Sequence, residues 1–88
     1  MKNIKEQLAE MWGEFEERKS AEGNDPRFFS CNEAWELFYL SERIQELKPE
    51  FTTLSALELI ERCCRYCNGP VNRNWFIGLV AEQLEQIE

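Results

Sequence analysis

The chain has 88 residues, a net charge of −7 and no histidine. Its 43% apolar and 12% aromatic residues exclude intrinsic disorder, because that much apolar surface offsets the entropy lost when a chain folds. The negative charge repels phosphate backbones, so we do not expect general affinity for nucleic acid. The length predicts a single helical domain over residues 1–88.

The sequence contains no run of about eighteen apolar residues, the length that would cross a membrane. Its first twelve residues alternate charged and apolar side chains and lack the apolar middle of a signal peptide. We therefore expect no membrane association and a cytoplasmic, reducing environment.

The first predicted helix covers residues 3–21. Its apolar residues recur at spacings of four, three and four, which is the helical period: Ile4, Leu8, Met11 and Phe15. Turn-forming residues at 22–26 end this helix, and the link that follows carries two adjacent aromatics, Phe28 and Phe29.

The second predicted helix covers residues 31–47. Ser30 with Glu33 forms a capping-box pattern at its start, and Pro49 ends it. One face of this helix is apolar along its length and includes Leu37, Phe38 and Ile44. The face predicts packing against a neighbouring helix.

The third predicted helix covers residues 55–68, between a Ser55–Glu58 capping box and the stop signal Asn68-Gly69-Pro70. Its apolar residues cover most of the circumference, which predicts a helix surrounded by its neighbours. The fourth predicted helix covers residues 72–87, with an apolar stripe of Phe76, Leu79, Val80, Leu84 and Ile87. The whole pattern predicts an all-α four-helix bundle with the third helix at its centre.

Four cysteines are the unusual chemical feature of the chain: Cys31, Cys63, Cys64 and Cys67. Three of them lie in the most apolar predicted helix, which favours core packing because free cysteine is among the most buried residue types. The four together could instead hold a structural zinc ion, or the helical neighbours Cys64 and Cys67 could take part in redox or disulfide chemistry. We expect core packing and no metal or other cofactor.

Catalysis is not expected from this sequence. The absence of histidine removes the usual general base, and there is neither a glycine-rich phosphate loop nor a calcium-binding carboxylate pattern. Most glutamates fall at solvent-facing helical positions.

An alternative is a compact helix-turn-helix regulator that binds DNA. A short glycine-containing turn joins the last two predicted helices, and the final one opens with Asn72, Arg73 and Asn74, polar residues suited to reading bases. Arg73 is the one cation of that helix, which leaves few contacts for phosphates.

The aromatic content favours protein binding. Three Trp and six Phe are a heavy load for so small a core, and aromatic anchors ringed by charge are typical of interface hot spots. We predict a small, acidic, non-enzymatic interaction module (an adaptor, regulator or inhibitor) whose partner is another protein or a second copy of this chain. Its candidate contact residues are Trp12, Phe28, Phe29 and Trp75.

Overall fold

The computed structural model describes residues 3–87, and side chains as far as residue 86. This part of the chain is mostly helical, with five helices and one pair of short strands. In chain order they are α1 (Ile4–Leu8), α2 (Gly13–Ala21), β1 (Phe28–Phe29), α3 (Ala34–Leu47), α4 (Thr53–Cys64), β2 (Val71–Asn72) and α5 (Arg73–Ile87). Within these residues no helix combines the length and apolar character needed to cross a membrane. The predicted role of Ile87 in the last apolar stripe lies outside the described side chains.

The single first helix predicted over residues 3–21 is wrong, because the chain breaks between α1 and α2. Met11 has a φ of 65°, a left-handed conformation that no helix contains. The break is held by two hydrogen bonds: the Trp12 indole N–H donates to the Leu8 carbonyl oxygen, and the Tyr39 hydroxyl donates to the Met11 carbonyl oxygen at 2.6 Å. Both bonds satisfy carbonyl oxygens that a continuous helix would have paired.

A two-stranded antiparallel sheet makes the all-α prediction incomplete. Phe28 lies opposite Asn72 and Phe29 opposite Val71. The Arg73 amide extends the pairing by donating to the Arg27 carbonyl oxygen at 2.8 Å. Strands of two residues are too short for an alternating pattern, so no periodicity could reveal them.

The starts of α3 and α4 differ from the predicted capping boxes. The Ser30 amide donates to the Glu36 carboxylate instead of opening a helix, and α3 begins three residues later than predicted, at Ala34. In α4 the N-cap is Thr52, whose hydroxyl accepts from the Ser55 amide at 3.1 Å while the Ser55 hydroxyl accepts from the Thr52 amide at 2.9 Å. The capping box is real but lies three residues earlier than expected.

A four-helix bundle centred on residues 55–68 is not confirmed. Helix α4 ends at Cys64 and packs against α3 and α5, while Leu54 in its first turn is 67% exposed and Tyr66, two residues past its end, is 74% exposed. Helix α5 packs against α1, α4 and both strands. Its inward face is completely buried and comprises Phe76, Ile77, Val80, Ala81 and Leu84. The core is therefore organised around the last helix.

We expect the Met11→Gly substitution to raise the free energy of unfolding by about 0.5–1 kcal/mol, because glycine adopts positive φ without the steric cost that methionine bears. The side chain is 64% exposed, so little packing is lost. Urea unfolding provides the measurement. Ala9→Gly is the matched control: its φ of −75° is right-handed, so glycine there should lower stability. Equal destabilisation by both glycines would contradict the assigned conformation of Met11.

Candidate functional site

The four predicted contact aromatics divide into two buried and two exposed residues. Trp12 is 3% exposed and Phe29 is fully buried, so the expectation that they offer a contact surface is wrong. Phe28 and Trp75 are 38% and 53% exposed. The surface therefore retains two of the four.

A cluster of stacked rings explains why Trp12 and Phe29 are buried. The Phe29 ring stacks on Phe76 with centroids 4.8 Å apart and lies nearly parallel to Phe15 at 6.2 Å. Trp12 meets the Phe15 ring edge-on at 4.8 Å. Such ring pairs gain free energy beyond the burial of their area. Many of the aromatic side chains that suggested an exposed patch are therefore packed in the core.

An open cleft of about 460 Å³ lies beside Phe28. The end of α2, the following turn, β1 and the start of α3 surround it, and Pro70 closes it from the segment before β2. The chemical character of the cleft comes from six of its lining residues: Lys19, Asp25, Phe28, Glu33, Glu36 and Pro70.

A buried ion pair lies at the wall of this cleft. The Lys19 ammonium donates to both oxygens of the Glu36 carboxylate, at 3.2 and 3.1 Å, and the two side chains are 5% and 2% exposed. The Ser30 amide donates to the same carboxylate at 2.9 Å. The carboxylate thus accepts three hydrogen bonds. Because each charge has its counter-charge, neither is buried uncompensated.

The rim of the cleft carries further negative charge. Asp25 accepts hydrogen bonds from the side chain and the amide of Arg27, which lower the pKa of its carboxyl group to about 2. Asp25 therefore stays charged well into the acid range. Glu33 is exposed at the start of α3. Glu36 is paired with Lys19 and Asp25 with Arg27, so of the three lining carboxylates Glu33 is the one that adds net negative charge, with the Phe28 ring at the edge.

Trp75 lies in a different depression, of about 320 Å³, formed with Lys5, Gly78, Leu79 and Glu82. Its indole is displayed near the start of α5, where the Asn72 side chain accepts from the Trp75 amide at 3.1 Å. Phe28 and Trp75 therefore do not share a cavity.

Arg73 is withdrawn from solvent. Its side chain is 14% exposed, donates to the Pro26 carbonyl oxygen at 3.1 Å and lies over the Trp12 ring at 5.1 Å from the centroid. Asn72 serves as a helix cap. The cation required by the DNA-binding alternative is thus engaged inside the molecule.

Two of the four cysteines are joined. Cys31 and Cys64 form a disulfide with their Cα atoms 6.0 Å apart, so for this pair the expected packing of free thiols is wrong. Cys63 is a buried thiol, as core packing predicts, and burial raises its pKa to about 11. Cys67 is half-buried, and burial raises its pKa as well.

A zinc site of four thiolates is incompatible with this state, since the disulfide removes two ligands. Across residues 3–87, moreover, no group of three or more His, Cys, Asp or Glu side chains has an arrangement that could hold a metal ion.

Sequence reasoning missed the ion pair, although its spacing was visible. Lys19 follows the buried Phe15 by four residues, and Glu36 precedes the buried Leu40 and Ile44 by four and eight. Residues at these spacings share a helix face, so both charges lie on buried faces. Two opposite charges in such positions are the signal that could have predicted their pairing.

Comparison of the chain with protein-family models, with curated proteins and with solved structures found no match.

We expect Glu36→Gln to lower the free energy of unfolding by about 3–5 kcal/mol, because it leaves the Lys19 ammonium buried without a counter-charge. Urea unfolding followed by circular dichroism measures the loss. The double variant Lys19→Met/Glu36→Gln is the control: it removes both charges and keeps an amide oxygen for the Ser30 amide. It should be more stable than Glu36→Gln alone. A single variant within about 1 kcal/mol of wild type would mean that the pair is not buried as described.

We expect reduction of the Cys31–Cys64 disulfide to lower the free energy of unfolding by about 3–4 kcal/mol, the chain-entropy value for a loop of about this length. The two residues are 33 positions apart. Unfolding with and without a phosphine reductant measures the difference. The Cys31→Ser/Cys67→Ser double variant, which removes both cysteines able to pair with Cys64, should match the reduced wild type and should not respond to the reductant. A wild type that is equally indifferent would contradict the disulfide.

Proposed function

We propose that this protein is a small, non-enzymatic protein-binding module whose cleft beside Phe28 receives a lysine or arginine side chain of a partner. The observation that carries the proposal is the cleft itself: an open cavity of about 460 Å³ that combines an exposed aromatic ring, that of Phe28, with an exposed carboxylate, that of Glu33. A module that binds a partner without catalysing a reaction would act as an adaptor, a regulator or an inhibitor. The Cys31–Cys64 disulfide does not favour the cytoplasm expected from the sequence, because disulfides are rare in reducing compartments.

The chemistry of the cleft favours a basic side chain. The exposed Glu33 carboxylate lies at the rim, where it would meet a cationic group without the cost of complete desolvation, whereas the Asp25 carboxylate is already paired with Arg27. The Phe28 ring offers a face for the charge or for the alkyl stem of the same side chain. The cavity volume falls within the range of small-ligand pockets, which run from about 300 to 1,000 Å³.

The partner in this proposal is a different protein. A second copy carries the same net charge of −7, and like charges oppose association. The same charge would raise the rate at which a basic partner is captured, most strongly at low salt.

The test is an NMR titration of the isotope-labelled protein with a short peptide containing one arginine, compared with the same peptide containing neutral citrulline. We expect shifts of the backbone amides around the cleft, such as those of Phe28, Ser30 and Glu33, with the arginine peptide alone. Glu33→Gln should weaken binding by about threefold, because one exposed ion pair contributes at most about 1 kcal/mol. Glu85→Gln, an exposed acid of α5 outside the cleft, is the matched control.

Three outcomes would contradict the proposal. The first is an equal response to the citrulline peptide, and the second is a set of shifts centred away from the cleft. The third is a dimer, seen in sedimentation, that Phe28→Ala dissociates, since the cleft would then serve a second copy of the chain.

A further inference from the structure

Cys64 lies within reach of two different cysteines. It is bonded to Cys31, and Cys67 follows it by three residues. The Cys67 amide donates to the Cys64 carbonyl oxygen at 3.0 Å. This turn bond holds the two Cα atoms within about 7 Å, the separation that a disulfide can span.

Cys63, which directly precedes Cys64 in α4, is the other free cysteine of this segment. The Cys67 thiol donates to the Cys63 carbonyl oxygen at 3.8 Å, so it is held at the end of α4, the helix whose last residue is Cys64. The Cys63 side chain is 1% exposed and, with its raised pKa, stays protonated near neutral pH. Of the two free thiols, Cys67 is therefore the one that is partly exposed to solvent.

We propose that the cysteine cluster is an intramolecular thiol–disulfide exchange site in which Cys67 displaces Cys31 from Cys64. The Cys67 thiolate attacks the Cys64 sulfur. A Cys64–Cys67 bond forms, the Cys31–Cys64 bond breaks, and Cys31 leaves as a thiolate that takes up a proton from water. No electrons enter or leave the protein, so the step requires neither an oxidant nor a reductant.

The backbone around Cys67 can accommodate the exchange. Helix α4 has ended at Cys64, and the segment that follows is a turn rather than a helix. Gly69, two residues before the strand, has a φ of 93°, a conformation that glycine adopts without steric cost. A Cys64–Cys67 bond therefore changes the turn without disrupting the hydrogen bonds inside the helix.

The exchange would also alter the cleft of the proposed function. Cys31 lies directly after Ser30 and two residues before Glu33, both of which line the cleft. Breaking the Cys31–Cys64 bond removes the covalent link between this wall of the cleft and the end of α4. The exchange chemistry itself does not depend on what the cleft binds.

Exchange should accelerate with pH, because the thiolate is the attacking species and its fraction rises about tenfold per pH unit below the thiol pKa. Burial raises the pKa of Cys67, so exchange is slow in mild acid and the Cys31–Cys64 bond already present persists there.

Disulfide mapping by trypsin tests the proposal. Arginine residues place Cys31 in the peptide 28–43, Cys64 in the peptide 63–65 and Cys67 in the peptide 66–73. The protein is incubated at about pH 5 or about pH 8.5, its free thiols are blocked in mild acid, and the cross-linked peptides are identified by mass spectrometry. The Cys63→Ser variant leaves Cys64 as the one cysteine of peptide 63–65. Tandem fragmentation of the wild-type peptide makes the same distinction if that variant does not fold.

We expect peptide 63–65 to be joined to 28–43 in acid and, increasingly, to 66–73 at the higher pH. The rate should be independent of protein concentration, as an intramolecular step requires. Cys67→Ser should show the first link under both conditions. The proposal is overturned if the first link alone persists in wild type at both pH values, if 28–43 joins 66–73, or if all four cysteines are thiols.

Discussion

The buried pairing of Lys19 with Glu36 is the interaction on which the rest of the structure depends. It joins the end of α2 to the first turn of α3, and the same carboxylate accepts the Ser30 amide that directly follows β1. Three consecutive segments of the chain are thereby fixed at one point. Because an unpaired charge in this position would be costly, the pair specifies one arrangement of these segments and leaves few alternatives. The cleft is the space that this arrangement leaves open to solvent.

The aromatic core and the ion pair meet at β1. Phe29 points into the stack with Phe15 and Phe76, while its neighbour Phe28 lines the cleft. Adjacent residues of a strand face opposite sides, so a strand of two residues is enough to separate a core ring from a surface ring. Arg73 links the residues just before β1 to the core. Its amide donates to the Arg27 carbonyl oxygen, and its guanidinium donates to the Pro26 carbonyl oxygen.

Periodicity predicted the parts of the fold that local sequence determines. Helix α3 ends just before Pro49, and the apolar face of α5 follows the helical period, as expected from their residues. The break at Met11 could not be predicted, because the bond from Tyr39 that holds it is made by a residue far along the chain. The candidate site was predicted only through Phe28. Its charged residues were expected to face solvent, because charged residues are seldom buried. The pairing of Cys31 with Cys64 could not be predicted, because the two residues are 33 positions apart and only the fold brings them together.

The Cys31–Cys64 bond divides the chain into a covalent ring with two tails. The ring contains all of α3 and α4, and the tails are residues 3–30 and 65–87. The tails also meet each other: α1 packs on α5, and β1 pairs with β2. Each tail therefore completes its packing on the other as well as on the ring. Removal of α1 or α5 would therefore expose apolar surface on the other helix, so these two helices depend on each other for burial although they lie at opposite ends of the described chain.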